Sequence, residues 1–109
     1  MSEMKAGREL DALVAEKVMG WTLSGRVWID ERGHLQTIEP TSFGSFEPSS
    51  DIAAAWEVVE KMRARGLIVD LTLGAGAYCR IGGFRPFAEE RGATAPLAIC
   101  LAALKAVQS

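Results

Sequence analysis

Apolar positions along the chain alternate between helical and strand spacing, and the switches divide it into five parts. Leu10, Leu13, Val14 and Val18 recur at helical spacing, while Arg8, Glu9, Glu16 and Lys17 take the other faces; this predicts a helix from about Ala6 to Met19. Gly20 follows as a residue free to take a positive φ at the helix end, and Trp21 is placed to fold back on it. Next, Arg26 to Asp30 and His34 to Ile38 flank Glu31-Arg32-Gly33, the pattern of a short β-hairpin with Val27 and Ile29 on one face and Trp28 on the other. The segment EPTSFGSFEPSS reads as a loop, although it carries Phe43 and Phe46.

Ser49, Ser50 and Asp51 offer side-chain oxygens for the N-cap of a second helix, whose apolar stripe is expected to comprise Ile52, Ala55, Trp56, Val59 and Met62. Glu57 and Lys61 are spaced for an i,i+4 ion pair, and Gly66 ends the helix. LIVDLTL then puts Leu67, Val69, Leu71 and Leu73 on one face. Gly74-Ala75-Gly76 turns the chain, and AYCRI returns with Ala77, Cys79 and Ile81 alternating against Tyr78 and Arg80. Gly82-Gly83 breaks this second hairpin, and FRPFAEERGA continues as an edge strand or loop, because Pro86 cannot donate to a ladder. The last helix starts near Thr94 with Pro96 in its first turn; from Ala95 to Val107 its only charged residue is Lys105. Such a helix needs cover on more than one side, either at the centre of the core or against another subunit.

The order helix, hairpin, helix, hairpin, helix predicts an α+β fold with a four- or five-stranded antiparallel sheet and three helices, in a single domain over residues 1–109. At 109 residues with 49% hydrophobic and 24% charged side chains, the chain can bury a modest core that oligomerisation would supplement. A net charge of −2 argues against duplex nucleic acid, whose binders neutralise phosphates with a basic excess. No apolar run is long enough for a bilayer span, and MSEMKAGREL lacks the apolar core of a signal peptide, so a cytoplasmic protein is expected. In that reducing setting Cys79 and Cys100 read as two small buried hydrophobes.

Three blocks, GRELDALVAEKVMGW at 7–21, SSDIAAAWEVVEKMRARG at 49–66 and TAPLAICLAALKA at 94–106, resemble the small phage and prophage proteins of the phage ABA sandwich family. They include all three expected helices, in the family's order, within less than half of the chain. The first block is the most specific, since its identities run beyond what amphipathicity requires. The resemblance implies an α-β-α sandwich of phage or prophage origin, working in the cytoplasm of a bacterial host, and it implies little about mechanism. Leu101 stands where relatives tend to carry a basic residue, and the resemblance does not extend to the segment 22–48.

Chemistry in the sequence is sparse. His34 is the only histidine, which excludes paired-His metal sites, and a hairpin histidine reads as a surface residue rather than the base of a triad. Glu89-Glu90 and Asp30-Glu31 are neighbours along the chain, whereas acid–base pairs must converge in space. Gly74-Ala75-Gly76 lacks the following helix that a phosphate loop needs. No catalytic residue, metal or cofactor is therefore assigned. Trp28, Phe43 and Phe46, with Arg26, Arg85 and the hydroxyls of Ser49 and Ser50 near the start of the second helix, form a candidate site for a flat anionic ligand. Asp51 would compete for the same helix-terminal N–H groups. The expectation is a non-enzymatic binding protein, a homo-oligomer capturing a small nucleotide-type molecule. The alternative is a protein-interaction module using the same aromatic loop.

Overall fold

The computed structural model describes residues 5–24, 27–36, 46–83 and 88–108. Helix α1 (Arg8–Leu13) runs on as a π-helical turn over Val14–Val18. Strands β1 (Thr22–Ser24), β2 (Val27–Ile29) and β3 (Leu35–Gln36) follow, then helix α2 (Ile52–Ala64), strands β4 (Ile68–Leu73), β5 (Ala77–Gly82) and β6 (Ala88–Gly92), and helix α3 (Ala95–Gln108). This is an α+β fold whose strands are all antiparallel. They form two three-stranded sheets, β1-β2-β3 and β4-β5-β6, where the alternation suggested one sheet of four or five strands. Each hairpin recruits the strand next to it in sequence, β1 before the first and β6 after the second, so each sheet is completed locally.

Helix α3 is the hub. It packs on β5 and β6 on one side and on α2 and the π-helical turn on the other, burying Ala98, Ile99, Cys100, Ala102, Ala103 and Leu104. Its all-round apolar character is thus satisfied within one chain, as the central helix of the core. Close approach at its start requires Gly92 at the end of β6: a Cβ there would lie 2.9 Å from the Ala98 backbone nitrogen. Thr94 Oγ1 accepts from the Leu97 N–H at 3.4 Å, and Pro96 sits in the first turn.

The ends of α2 follow directly from its sequence. Asp51 is the N-cap, accepting from the Ala53 N–H. At the other end Gly66 takes φ 83°, with Gly66 N–H bonded to the Arg63 carbonyl and Leu67 N–H to the Met62 carbonyl, a Schellman closure. The inward face differs from the expected stripe. Ala54, Ala55, Val58, Val59 and Met62 are buried, while Ile52 and Trp56 are each 51% exposed. Trp56 lies roughly 130° around the helix from the middle of the buried set, counted at 3.6 residues per turn. The face toward the alanine-rich α3 is built from small and medium side chains, and the indole is left on the flank. Lys61 does not pair with Glu57 but bonds Glu31 in the turn after β2, and Arg63 pairs with Glu60 at 2.9 Å.

The second hairpin follows its alternation. Val69 faces Ile81, Leu71 faces Cys79 and Leu73 faces Ala77 across β4 and β5, and Ala77, Cys79 and Ile81 are buried against α3. Strand β6 forms one edge of this sheet and β4 the other. Both cysteines are free and buried, and burial pushes the Cys79 thiol up to about 11 and the Cys100 thiol further in the same direction.

Candidate functional site

Among the described residues expected to form a site between 21 and 50, Trp28, Phe46 and Ser49 are buried in packing. Trp28 is buried, with 8% exposure, and Phe46 is buried with its ring centroid 4.5 Å from that of Trp21. Ser49 is fully buried. Its Oγ accepts from the Gly7 N–H at 2.9 Å, and its own N–H donates to Asp11 Oδ1 at 2.8 Å. Ser50 is exposed in the turn leading to the cap. Arg26, Phe43 and Arg85 lie outside the described residues. His34 is exposed in the β2–β3 turn, where Asp30 accepts from the N–H groups of Arg32 and His34.

Asp11 was not marked by its spacing, yet it is the buried carboxylate that ties α1 to the start of α2. Desolvation pushes its pKa above the ordinary aspartate value, against the lowering effect of its hydrogen bonds to Ser49.

A concave feature formed by described residues lies elsewhere, at the turn end of the β4-β5-β6 sheet. A groove of about 460 Å³ is lined by Thr72, the Gly74–Gly76 turn, Ala77, Tyr78, Arg91 and Gly92. Strand register puts Thr72, Tyr78 and Arg91 in one row across the three strands, with their side chains on the same face. This face is the one turned away from α3, since the neighbouring register positions Ala77 and Cys79 point into the core. The Arg91 guanidinium carbon sits 5.3 Å from the Tyr78 ring centroid, in cation–π contact.

The carboxylates nearby are engaged by other groups. Tyr78 donates its hydroxyl to Glu89 Oε2, which also lies 3.9 Å from Arg80 Nε, and Glu90 pairs with Lys105 of α3 at 3.4 Å. Among the described residues Arg91 has no carboxylate partner, and it is the only charged side chain lining the groove. The hydrogen bond to Glu89 raises the pKa of Tyr78 above that of a free tyrosine, so the phenol stays neutral beside the guanidinium. A fixed neutral ring carrying one exposed guanidinium can bind a planar anion: the cation attracts it, and ring and guanidinium planes offer stacking surfaces. The sequence held half of this signal. Alternation separates Tyr78 from the buried face of β5, but the strand that brings in Arg91 lies in the segment read as edge strand or loop.

Among the described residues no three His, Cys, Asp or Glu side chains are grouped to hold a metal ion, and no helix is long and apolar enough to cross a membrane.

The family model of the phage ABA sandwich domain matches residues 12–104. The fold is similar to the 2.0 Å crystal structure of a phage protein from Bacillus cereus ATCC 14579, with a TM-score of 0.75 and 26% identity over 98% of this chain and 96% of that one. No curated protein matches the sequence. The chain belongs to the phage ABA sandwich domain family.

Proposed function

We propose that this phage ABA sandwich protein is a non-enzymatic phage accessory protein that acts by stoichiometric binding, as an oligomer that captures a small nucleotide-type signal of a bacterial defence system. The observation that carries the reading is the groove of about 460 Å³, a volume within the usual range for small-molecule sites, with an arginine and a tyrosine ring on its wall. A protein that removes a signal needs affinity and abundance but no turnover, so a binding groove is sufficient equipment. An oligomer is supported by the β4 edge strand, whose Ile68 and Leu73 are 56% and 66% exposed. The test is calorimetric titration with cyclic dinucleotides and ADP-ribose derivatives; saturable heat near one ligand per groove is the expected outcome. Absence of heat from the whole panel contradicts the reading.

A second reading rests on a different observation. Ile52 and Trp56, one helical turn apart on α2, are both half exposed and form an apolar pair of the kind that anchors a protein partner. In that case Trp56→Ala abolishes partner binding and leaves nucleotide titrations as they were.

A further inference from the structure

Resting on the reading above, we propose that the β4–β6 groove is the ligand site, with Arg91 as the seat for a phosphate and the Tyr78–Arg91 stack as the platform for the ligand's base. Four observations support this placement. First, Arg91 is exposed and lines the groove, while among the described residues Arg80 and Lys105, the other cations on and beside this sheet, have Glu89 and Glu90 as partners. A guanidinium without a counter-charge is where an incoming anion gains most, because binding displaces water and not an existing ion pair.

Second, the Arg91 guanidinium carbon sits over the Tyr78 ring, 5.3 Å from its centroid, so a cation and an aromatic ring are held side by side on the groove wall, and the guanidinium keeps its N–H donors for an anion. Those two features match the two parts of a nucleotide, an oxyanion and a flat ring. Third, Glu89 fixes Tyr78 by accepting its hydroxyl, so the platform is ordered before a ligand arrives. Glu89 is therefore a positioning residue. Fourth, Gly74, Gly76 and Gly92 line the groove without side chains that would fill it. Thr72, in the same row as Tyr78, offers a hydroxyl to a sugar or phosphate oxygen.

The ligand class is a small molecule carrying both an aromatic base and at least one phosphate. Adenosine alone supplies the ring without the charge, and inorganic phosphate supplies the charge without the ring; each should bind more weakly than ADP-ribose or a cyclic dinucleotide.

The experiment uses the full chain. Wild type, Arg91→Ala, Arg91→Lys and Tyr78→Leu are titrated by calorimetry with ADP-ribose, cyclic dinucleotides, adenosine and inorganic phosphate, and wild type is titrated in parallel by amide NMR. Arg91 is exposed, so its variants should melt with the wild type, and the melting curves check this. The expected result is a roughly 10- to 100-fold loss of affinity in Arg91→Ala, as for a charged hydrogen bond removed. Arg91→Lys should fall between the two, and the amide signals of Gly74, Gly76 and Gly92 should shift with ligand. Equal affinity in wild type and Arg91→Ala with those three amides unmoved would overturn the site but leave a nucleotide-binding protein with its pocket elsewhere. No binding to wild type by any compound would remove the functional reading as well.

Discussion

The Asp11 carboxylate accepts the backbone N–H of Ser49 at 2.8 Å, and both residues are buried, so one hydrogen bond joins the first helix to the approach of the second across 38 positions of sequence. Ser49 returns the link by accepting the Gly7 N–H at the start of α1. The serine expected to face a ligand is thereby committed to holding two helices together.

Asp11→Ala should destabilise the fold by about 1–3 kcal/mol, because it leaves the buried Ser49 N–H without an acceptor. Asp11→Asn keeps an acceptor oxygen and removes the buried charge, so it should lose less. The pH dependence has a definite sign. The folded-state pKa is raised above the unfolded value of 3.8, so the native state binds the extra proton in the interval between them. The Asp11 contribution to stability therefore falls as pH rises through that interval and is recovered on acidification. Chemical denaturation of wild type and Asp11→Asn from pH 7 down to 4 checks this: the stability of wild type relative to Asp11→Asn should rise on acidification, and a fall would contradict it.

Met62→Ala should cost about 2–5 kcal/mol, since Met62 is fully buried between α2 and the core. Trp56→Ala, at a half-exposed site, should cost less than Met62→Ala despite removing the larger side chain. Urea titration of the two variants side by side reads the order directly, and the reverse order would return Trp56 to the core.

Cys79 and Cys100 should both resist thiol reagents in the folded protein at pH 8. Burial holds each thiol well above that pH, Cys79 at about 11, and neither is accessible. Labelling with a thiol-reactive chromophore should proceed at the rate of unfolding; fast stoichiometric labelling of either residue in native buffer would contradict the packing of β5 on α3.

The β4 edge predicts self-association. Antiparallel pairing of β4 with a second copy about Leu71 would set Asp70 against the partner's Thr72, which keeps the two Asp70 carboxylates from facing each other and continues both faces of the sheet. Ile68→Lys and Leu73→Lys change exposed positions, so they should yield a folded monomer where wild type sediments as a larger species. A wild-type monomer at high micromolar concentration would contradict this.

How far the sequence revealed the fold depends on how local the information is. The Asp51 cap, the Gly66 helix stop and the Leu71–Cys79 pairing are set by residues within a few positions of one another or by strict alternation, and they are legible by eye. Trp56 was misplaced because α2 carries apolar side chains on two adjoining faces, and the choice between them is made by the small residues of α3, over forty positions away in sequence. Strand β1, only three residues long, gives no periodicity to read. Asp11 looks like any polar residue on an amphipathic helix until Ser49 is brought beside it. Of the candidate site, an aromatic residue on a hairpin and others in a polar loop looked like spare binding surface, whereas Trp28 and Phe46 fill the core. Arg91 becomes significant only when register aligns it with Tyr78.

The most direct test of ligand capture is native mass spectrometry of the intact protein after incubation with cyclic dinucleotides and ADP-ribose derivatives, because it counts subunits and bound molecules in one spectrum. The account predicts an assembly larger than one chain carrying a discrete adduct at the mass of a phosphate-bearing nucleotide, up to one per groove. A spectrum holding only unliganded protein across the whole panel would contradict it and leave the exposed Ile52–Trp56 pair, and a protein partner, as the better explanation.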